Sequence, residues 1–161
     1  MNVARVAIQG EDFDVGALFQ ALHAADAGTG AVVGFVGTVR GRDGVHDVQA
    51  LELEHYPGMT EQAIEAMIDA AVGRFGLRAA RVVHRVGRLA AGENIVFVGV
   101  AAPHRRAAFE GCEFLMDYLK TQAPFWKKET TPEGSRWVDA RAADDAALAR
   151  WGLDSDNAAN A

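Results

Sequence analysis

The spacing of apolar residues changes along the chain and predicts which segments are helical and which are extended. Residues 13–24, 64–75 and 104–119 carry apolar side chains three and four positions apart, the period of an amphipathic helix. A shorter helix is expected at 142–151. Apolar runs and strict alternation, both typical of strands, lie at 3–9, 31–39, 48–55, 81–86, 94–101, 125–130 and 136–138. Helices therefore alternate mostly with pairs of strands, which favours an α+β fold with a mixed or antiparallel sheet.

The segment 31–39, AVVGFVGTV, is apolar on both faces, and we expect it to be a central strand. Its two glycines predict a bulge or a close backbone approach. The segments 41–47 and 87–93 are interpreted as loops because of their glycine turns. Gly76 and Pro124 are predicted to end the second and third long helices, since one favours a helix C-terminus and the other cannot continue a helix.

The composition is that of an ordinary globular protein. The chain has 161 residues, of which 50% are hydrophobic and 24% charged, so we expect one domain over 1–151 and a frayed polar tail over 152–161. The net charge of −6 argues against a protein that binds nucleic acid over its whole surface. A lone cysteine, an acidic N-terminal stretch and the lack of any apolar run near ~20 residues indicate a cytoplasmic protein.

Three lysines surround a proline-aromatic corner in the stretch 116–129, MDYLKTQAPFWKKE. Lys120 ends the apolar stripe of a helix, Pro124 stops that helix, and the chain returns as a strand that carries Lys127 and Lys128. Two amines on adjacent elements, beside aromatic rings, suit an anionic substrate or an acyl-transfer step. The alternative is a solvated basic loop over an aromatic core, which is the ordinary surface behaviour of lysine.

Two further basic groups stand at the ends of predicted elements. His104 and Arg105 begin a helix, where free N–H groups and the helix dipole favour an anion, and Arg40 follows a strand. Solvated side chains would explain the same pattern, although cations at a helix start oppose the dipole. If these groups converge with the lysines, they form a pocket for a phosphorylated ligand.

Other familiar kinds of site are missing from the sequence. It has no glycine-rich phosphate loop and no serine in a nucleophile-elbow pattern. The five histidines lack metal-ligand spacing, and Cys112 falls on the apolar stripe of a helix. We therefore expect no metal ion and no cofactor, and lysine is the candidate for moving protons.

Six segments, in order through the chain, make it resemble the family of the large, catalytic subunit of molybdopterin synthase. Two long stretches, LEHYPGMTE and MDYLKTQAPFWKKE, are highly specific. The six are FVGTVR (35–40), LEHYPGMTE (53–61), HRVGRL with GE shortly after (84–93), VFVGVAAPHR (96–105), FLMDYLKTQAPFWKKE (114–129) and TPEGSRWVDAR (131–141).

The resemblance implies an α/β-hammerhead fold and a sulfurtransferase of molybdenum cofactor biosynthesis. Two large subunits would form a homodimer, and each would bind one small ubiquitin-like sulfur carrier, giving a heterotetramer. The carrier's C-terminal Gly-Gly tail would bring a thiocarboxylate into the large subunit's pocket. The substrate would be cyclic pyranopterin monophosphate, and two sulfur transfers would make the dithiolene of molybdopterin.

The resemblance also assigns roles to particular residues. Lys120 and Lys127 match the family's essential lysines. Arg40, with Thr38 and Val39 before it, matches a contact to the pterin phosphate. The remaining matches are His104 and Arg105 as an anion-binding pair, Lys128 and Glu129 beside Lys127, and Arg141 as a residue that completes a pocket across the dimer.

Two other functions fit the same residues. A phosphate-ester transferase or lyase could use the basic cluster without any protein partner. A non-catalytic module could dock a partner's tail or a nucleic acid, because PFWKK mixes aromatic and basic side chains as single-strand binders do. The acidic net charge counts against binding to nucleic acid.

Overall fold

The computed structural model describes residues 4–44, 46–138 and 142–153. In these ranges the chain forms four helices and ten strands. In chain order they are β1 (Val6–Gln9), α1 (Val15–Ala24), β2 (Ala31–Thr38), β3 (Arg42–Asp43), β4 (His46–Asp47), β5 (Ala50–His55), α2 (Met59–Phe75), β6 (Ala79–Arg85), β7 (Gly87–Ala90), β8 (Asn94–Ala102), α3 (Arg105–Gln122), β9 (Phe125–Thr131), β10 (Gly134–Val138) and α4 (Ala142–Ala149).

The strands form two four-stranded sheets and a small ribbon. The first sheet has the order β1-β6-β8-β2 and is mixed, since β1 runs parallel to β6 while the other pairs are antiparallel. The second sheet, β10-β9-β5-β7, is wholly antiparallel, and β3 pairs with β4. The predicted α+β class with mixed and antiparallel sheets is confirmed.

Helices cover both faces of the mixed sheet, and alternate residues of its strands point into two cores. On β6, Val82 belongs to the larger core beneath α2 and α3, whereas Val83 belongs to the smaller core beneath α1. The predicted helix ends are confirmed: Gly76 follows α2 in the left-handed conformation with φ of 65°, and α3 ends just before Pro124. None of the helices in the described ranges is long and apolar enough to cross a membrane.

The C-terminal part of the described chain folds back onto this core. Trp151 packs its ring edge-to-face against Phe75 and Phe114, at centroid distances of 5.7 and 5.6 Å. Leu153 also packs against the core, so the described structure continues two residues past the predicted end of the domain. The rest of the predicted tail, from 154 onward, lies outside the described residues.

The prediction that 31–39 is a central strand is wrong. β2 lies at one end of the mixed sheet and pairs with β8, which is a central strand instead. The apolar pattern did not distinguish an edge strand from a central one, because α1 and α3 cover both faces of the sheet as far as its edge. An edge strand of this sheet is therefore also apolar on both faces. The glycines behave as predicted: the register shifts between Gly37 and Thr38, and a Cβ at Gly34 would lie 2.4 Å from the Phe19 ring.

Two segments interpreted as loops contain short strands. Gly87–Ala90 forms β7 and pairs with β5 as the edge of the antiparallel sheet, and the predicted loop 41–47 includes the ribbon of β3 and β4. These strands have two to four residues, too few for a visible period. Their partners, and not their own pattern, define them.

Candidate functional site

A small notch lies where the end of β2, the end of α3 and the start of β9 meet. It encloses about 110 Å³. Arg40, Lys120 and Lys127 line it together, although they come from three separate segments of the sequence. The other lining residues are Thr38, Asp43, Val48, Leu51, Ile95 and Glu129.

The Pro124 corner brings the two lysines to the same notch. Lys120 lies in the last turn of α3, and the next residues leave the helix because Ala123, which precedes the proline, is extended at φ −78° and ψ 130°. The N–H of Phe125 donates to the carbonyl oxygen of Ala123 at 2.9 Å, closing a tight turn around Pro124. β9 then starts at Phe125 and carries Lys127 back along the notch.

Strand alternation decides which side chains of β9 reach the notch. Lys127 and Glu129 share one face and both line it. Lys128 points to the other face, with its Nζ 5.8 Å from the centre of the Trp137 ring. The structure therefore separates Lys128 from Lys127 and Glu129, with which the sequence analysis grouped it.

Three cationic and two anionic side chains line the notch, and each of the two carboxylates pairs with an arginine. Arg40 lies 3.5 Å from Asp43 between Nη2 and Oδ1, and its side chain is largely exposed. Glu129 is only 6% exposed, and it accepts hydrogen bonds from Nε and Nη2 of Arg136. Because Arg136 neutralises Glu129, the lysines face a site that favours an anion.

A buried histidine lies close to both lysines. His84, on β6, stacks on Phe125 with ring centroids 3.8 Å apart. Burial, with smaller contributions from the positive charges of Lys127 and Lys120, lowers the pKa of His84 to about 4. The ring is therefore neutral at neutral pH. Sequence reasoning missed this residue, although it lies in the HRVGRL segment.

The other predicted site residues lie elsewhere in the single chain. His104 and Arg105 begin α3, whereas Lys120 is near its end. Since a helix rises about 1.5 Å per residue, Arg105 and Lys120 are roughly 22 Å apart along the axis. Val39 is a buried core residue that packs with Val48 and is absent from the lining of the notch. Arg141 lies outside the described residues.

Cys112 belongs to the core, as its position on a helical stripe predicts. Its thiol donates to the carbonyl oxygen of Val98 at 3.6 Å. Burial raises its pKa to about 11, with a smaller contribution from Glu113. Such a thiol has almost no thiolate near neutral pH and is a poor nucleophile.

Comparison with known proteins identifies the family. The profile of the family described as "MoaE protein" matches residues 8–122. A molybdopterin synthase catalytic subunit from Ralstonia nicotianae is 54% identical over 156 residues, which are 97% of this chain and 89% of the relative.

Solved structures agree with the match. The molybdopterin biosynthesis MoaE protein from Burkholderia ambifaria superposes with a TM-score of 0.81 at 55% identity, covering 94% of this chain and 100% of that one. A complex of subunits 1 and 2 of molybdopterin-converting factor from Helicobacter pylori shares the fold, with a TM-score of 0.71 at 24% identity over 86% of this chain and 92% of that one. The chain therefore belongs to the MoaE family, the catalytic subunits of molybdopterin synthase, which transfer sulfur in molybdenum cofactor biosynthesis.

Proposed function

We propose that the notch between α3 and β9 is where this chain transfers sulfur from a small carrier protein to cyclic pyranopterin monophosphate. In each transfer the thiocarboxylate sulfur bonds to a pterin carbon as a carbon–oxygen bond there breaks, and water then cleaves the bond between sulfur and the carrier's terminal carbonyl carbon, which leaves a carboxylate on the carrier. Two transfers give the dithiolene of molybdopterin. The observation that carries this proposal is the meeting of Arg40, Lys120 and Lys127 in one notch of a MoaE chain.

The size of the notch supports an arrangement in which only part of the two substrates lies inside it. Its volume of about 110 Å³ is below the ~300 Å³ at which ordinary ligand pockets begin. It suits the end of a Gly-Gly tail, which has no side chains, or a single phosphate group. The pterin ring would then lie at its mouth, where a second protein surface could cover it.

We propose that a second copy of this chain supplies that surface. His104 and Arg105 lie far from Lys120 within one chain, at the exposed start of α3. In a homodimer the partner's copies of these residues, together with Arg141, would bind anionic groups of the pterin beside the lysines. One carrier on each large subunit would complete a heterotetramer.

The lining residues then divide the chemistry. Lys120 acts beside the carrier's terminal carbonyl and the pterin carbon, as a proton donor or a stabiliser of developing charge. Lys127 keeps the local potential positive, and Arg40, with the Thr38 hydroxyl, binds the phosphate. Glu129, paired with Arg136, shapes the wall between them. We place this activity in the cytoplasm, in one catalytic domain over 1–151.

Reconstitution tests the function directly. The purified chain, a thiocarboxylated carrier and cyclic pyranopterin monophosphate should together form molybdopterin, and omission of any one should abolish it. Turnover of a simple phosphorylated compound without the carrier would support a phosphate-ester enzyme instead. A chain that binds the carrier but makes no product would support a docking module.

A further inference from the structure

The relative placement of Lys120 and Lys127 depends on the corner between α3 and β9. The corner comprises Ala123, Pro124 and Phe125, and only the first two of these separate the end of the helix from the start of the strand. A small movement of this corner would change the position of one lysine relative to the other. Catalytic groups lose much of their effect when displaced by about 1 Å.

Thr60 bonds to this corner from the first turn of α2. Its side chain is fully buried, and its hydroxyl donates to the carbonyl oxygen of Pro124 at 3.2 Å. The same hydroxyl accepts from the N–H of Tyr56 at 3.0 Å, while the Thr60 N–H donates to the Tyr56 carbonyl oxygen at 2.9 Å. One hydroxyl thus joins α2, the turn before it and the corner.

The turn that holds Thr60 is itself braced. Gly58 has φ of 85°, a conformation that favours glycine. Its N–H donates to the Glu61 carboxylate at 2.6 Å. The hydroxyl of Thr60 is therefore presented from a fixed backbone, and its only proton is directed at Pro124.

His84 contacts the next residue of the corner from β6, with its ring nearly parallel to that of Phe125 at an interplanar angle of 16°. Nδ1 lies 2.8 Å from the Arg85 carbonyl oxygen, which can only accept, so Nδ1 carries the proton and fixes the ring's orientation. Two elements thus hold two consecutive residues, Pro124 and Phe125.

We propose that Thr60 and His84 are positioning residues, which fix the Pro124–Phe125 corner and thereby the separation of Lys120 and Lys127. Neither lines the notch, so neither contacts a substrate placed there. The inference rests on the proposed function, because its consequence for rate needs the two lysines to act in sulfur transfer. Its consequence for the separation of the two lysines does not depend on that function.

Thr60 offers a matched pair of variants. Thr60→Val removes the hydroxyl at nearly constant shape, and Thr60→Ser keeps it. With carrier and pterin saturating, we expect the single-turnover rate to fall about 10-fold or more in Thr60→Val and to recover to within about 3-fold in Thr60→Ser. Carrier affinity should change by less than about 2-fold, since no carrier contact is lost.

A stability control separates positioning from general loosening. Ile68→Val, in the same buried face of α2 but two turns from the corner, should lower the melting temperature without slowing transfer. If Ile68→Val and Thr60→Val slow transfer equally at an equal loss of melting temperature, the inference is overturned.

His84 offers a second pair, which also decides the outcome if Thr60→Val does not fold. His84→Phe keeps a neutral ring against Phe125 and loses the bond to Arg85, whereas His84→Asn keeps a donor and loses the ring. We expect His84→Phe to stay within about 3-fold of the wild-type rate and His84→Asn to lose about 10-fold. The reverse order would overturn the role assigned to the ring.

Cross-linking tests the separation of Lys120 and Lys127 independently of enzymatic activity. A short bifunctional amine reagent should join Lys120 to Lys127 in the wild type, with a yield, measured by mass spectrometry, that falls in Thr60→Val and recovers in Thr60→Ser. An unchanged yield in Thr60→Val would overturn the positioning role. If the yields change among the three proteins as expected but the wild type makes no molybdopterin, the proposed function fails while the positioning role stands.

Discussion

Arg136 donates hydrogen bonds from Nε and Nη2 to the same carboxylate oxygen of Glu129, at 3.1 and 3.0 Å. The two residues face each other across the β9–β10 ladder, so the register of the hairpin sets the pair. Glu129 is buried and Arg136 is half exposed. The arginine thus brings a compensating charge from the surface to a carboxylate in the wall of the notch.

Removal of this arginine should destabilise the protein moderately. We expect Arg136→Met to lower the free energy of unfolding by about 1–2 kcal/mol, because Glu129 loses charged hydrogen bonds while solvent reaches part of the site. Urea denaturation measures the change. Arg106→Met, which breaks an exposed pair with Glu110, should change it by less than about 0.5 kcal/mol. Equal losses would contradict the special role of the Arg136 pair.

Lys120→Ala should abolish turnover and leave folding and carrier binding nearly intact. In the proposed role the lost interaction would belong mainly to the transition state, so we expect the single-turnover rate to fall by about 10²–10⁴-fold. Lys120→Arg should not restore it, because a guanidinium is bulkier and does not give up its proton. If Lys120→Ala runs at the normal rate once the carrier is saturating, Lys120 is a docking residue.

A site shared between two chains should show complementation. Lys120→Ala and Arg105→Ala chains should each be inactive alone. In a mixed dimer one of the two sites would hold both wild-type residues, so chains refolded together at equal amounts should recover about a quarter of the wild-type activity. If no activity returns although the dimers have exchanged chains, a site shared between two chains is ruled out. Arg105 and Lys120 would then serve one site within a single chain, or two separate sites.

His84 should make the protein less stable in mild acid. Its pKa is about 4 in the folded chain because of burial, against an ordinary value near 6.5, so the folded state binds fewer protons than the unfolded state between these values. The contribution, about 3 kcal/mol, is complete above pH 6.5, is lost as the pH falls toward 4, and changes no further below it.

Urea denaturation at several pH values, in wild type and in His84→Phe, isolates this contribution. The stability difference between the two proteins should change by about 3 kcal/mol between pH 7 and pH 4. Carboxylates titrate in the same range, but they do so in both proteins. Parallel stability curves would show that His84 does not titrate as its burial requires.

Cys112 should be inert in the folded protein. With its pKa raised to about 11 by burial, native Cys112 should react with a thiol reagent at pH 8 at least about 100-fold more slowly than in denatured chain. Cys112→Ala should retain sulfur transfer. Rapid labelling of the native protein, or loss of transfer in Cys112→Ala, would contradict its assignment to the core.

Residue pattern predicted much of the fold because most elements carry their own period. Gly76 and Pro124 marked helix ends correctly, since their preferences are local. The place of β2 at a sheet edge was not predictable, because periodicity reports which faces are covered and not which strands are neighbours. Strand β7 was missed because pairing with β5 defines it.

The site was predictable in the same uneven way. Arg40, Lys120 and Lys127 stood out because charged residues at element ends reach solvent or ligands, and the structure brings them together. Their meeting is tertiary, so spacing could not show it. Thr60 and His84 were missed because a buried polar residue within a helix or strand resembles ordinary core, and its role depends on a carbonyl or a ring from distant sequence.

The tight turn at Pro124 also constrains the length of the chain. Lys127 reaches the notch because residues 127 and 129 lie on the inward face of β9. Only two residues separate β9 from the end of α3 at Gln122. One residue inserted before Phe125, with the corner held in place, would exchange the two faces of β9 and turn Lys127 outward. A two-residue insertion would preserve parity but displace the lysine by about 6.6 Å. The face of β9 on which Lys127 lies is therefore encoded as a residue count, which no single substitution changes.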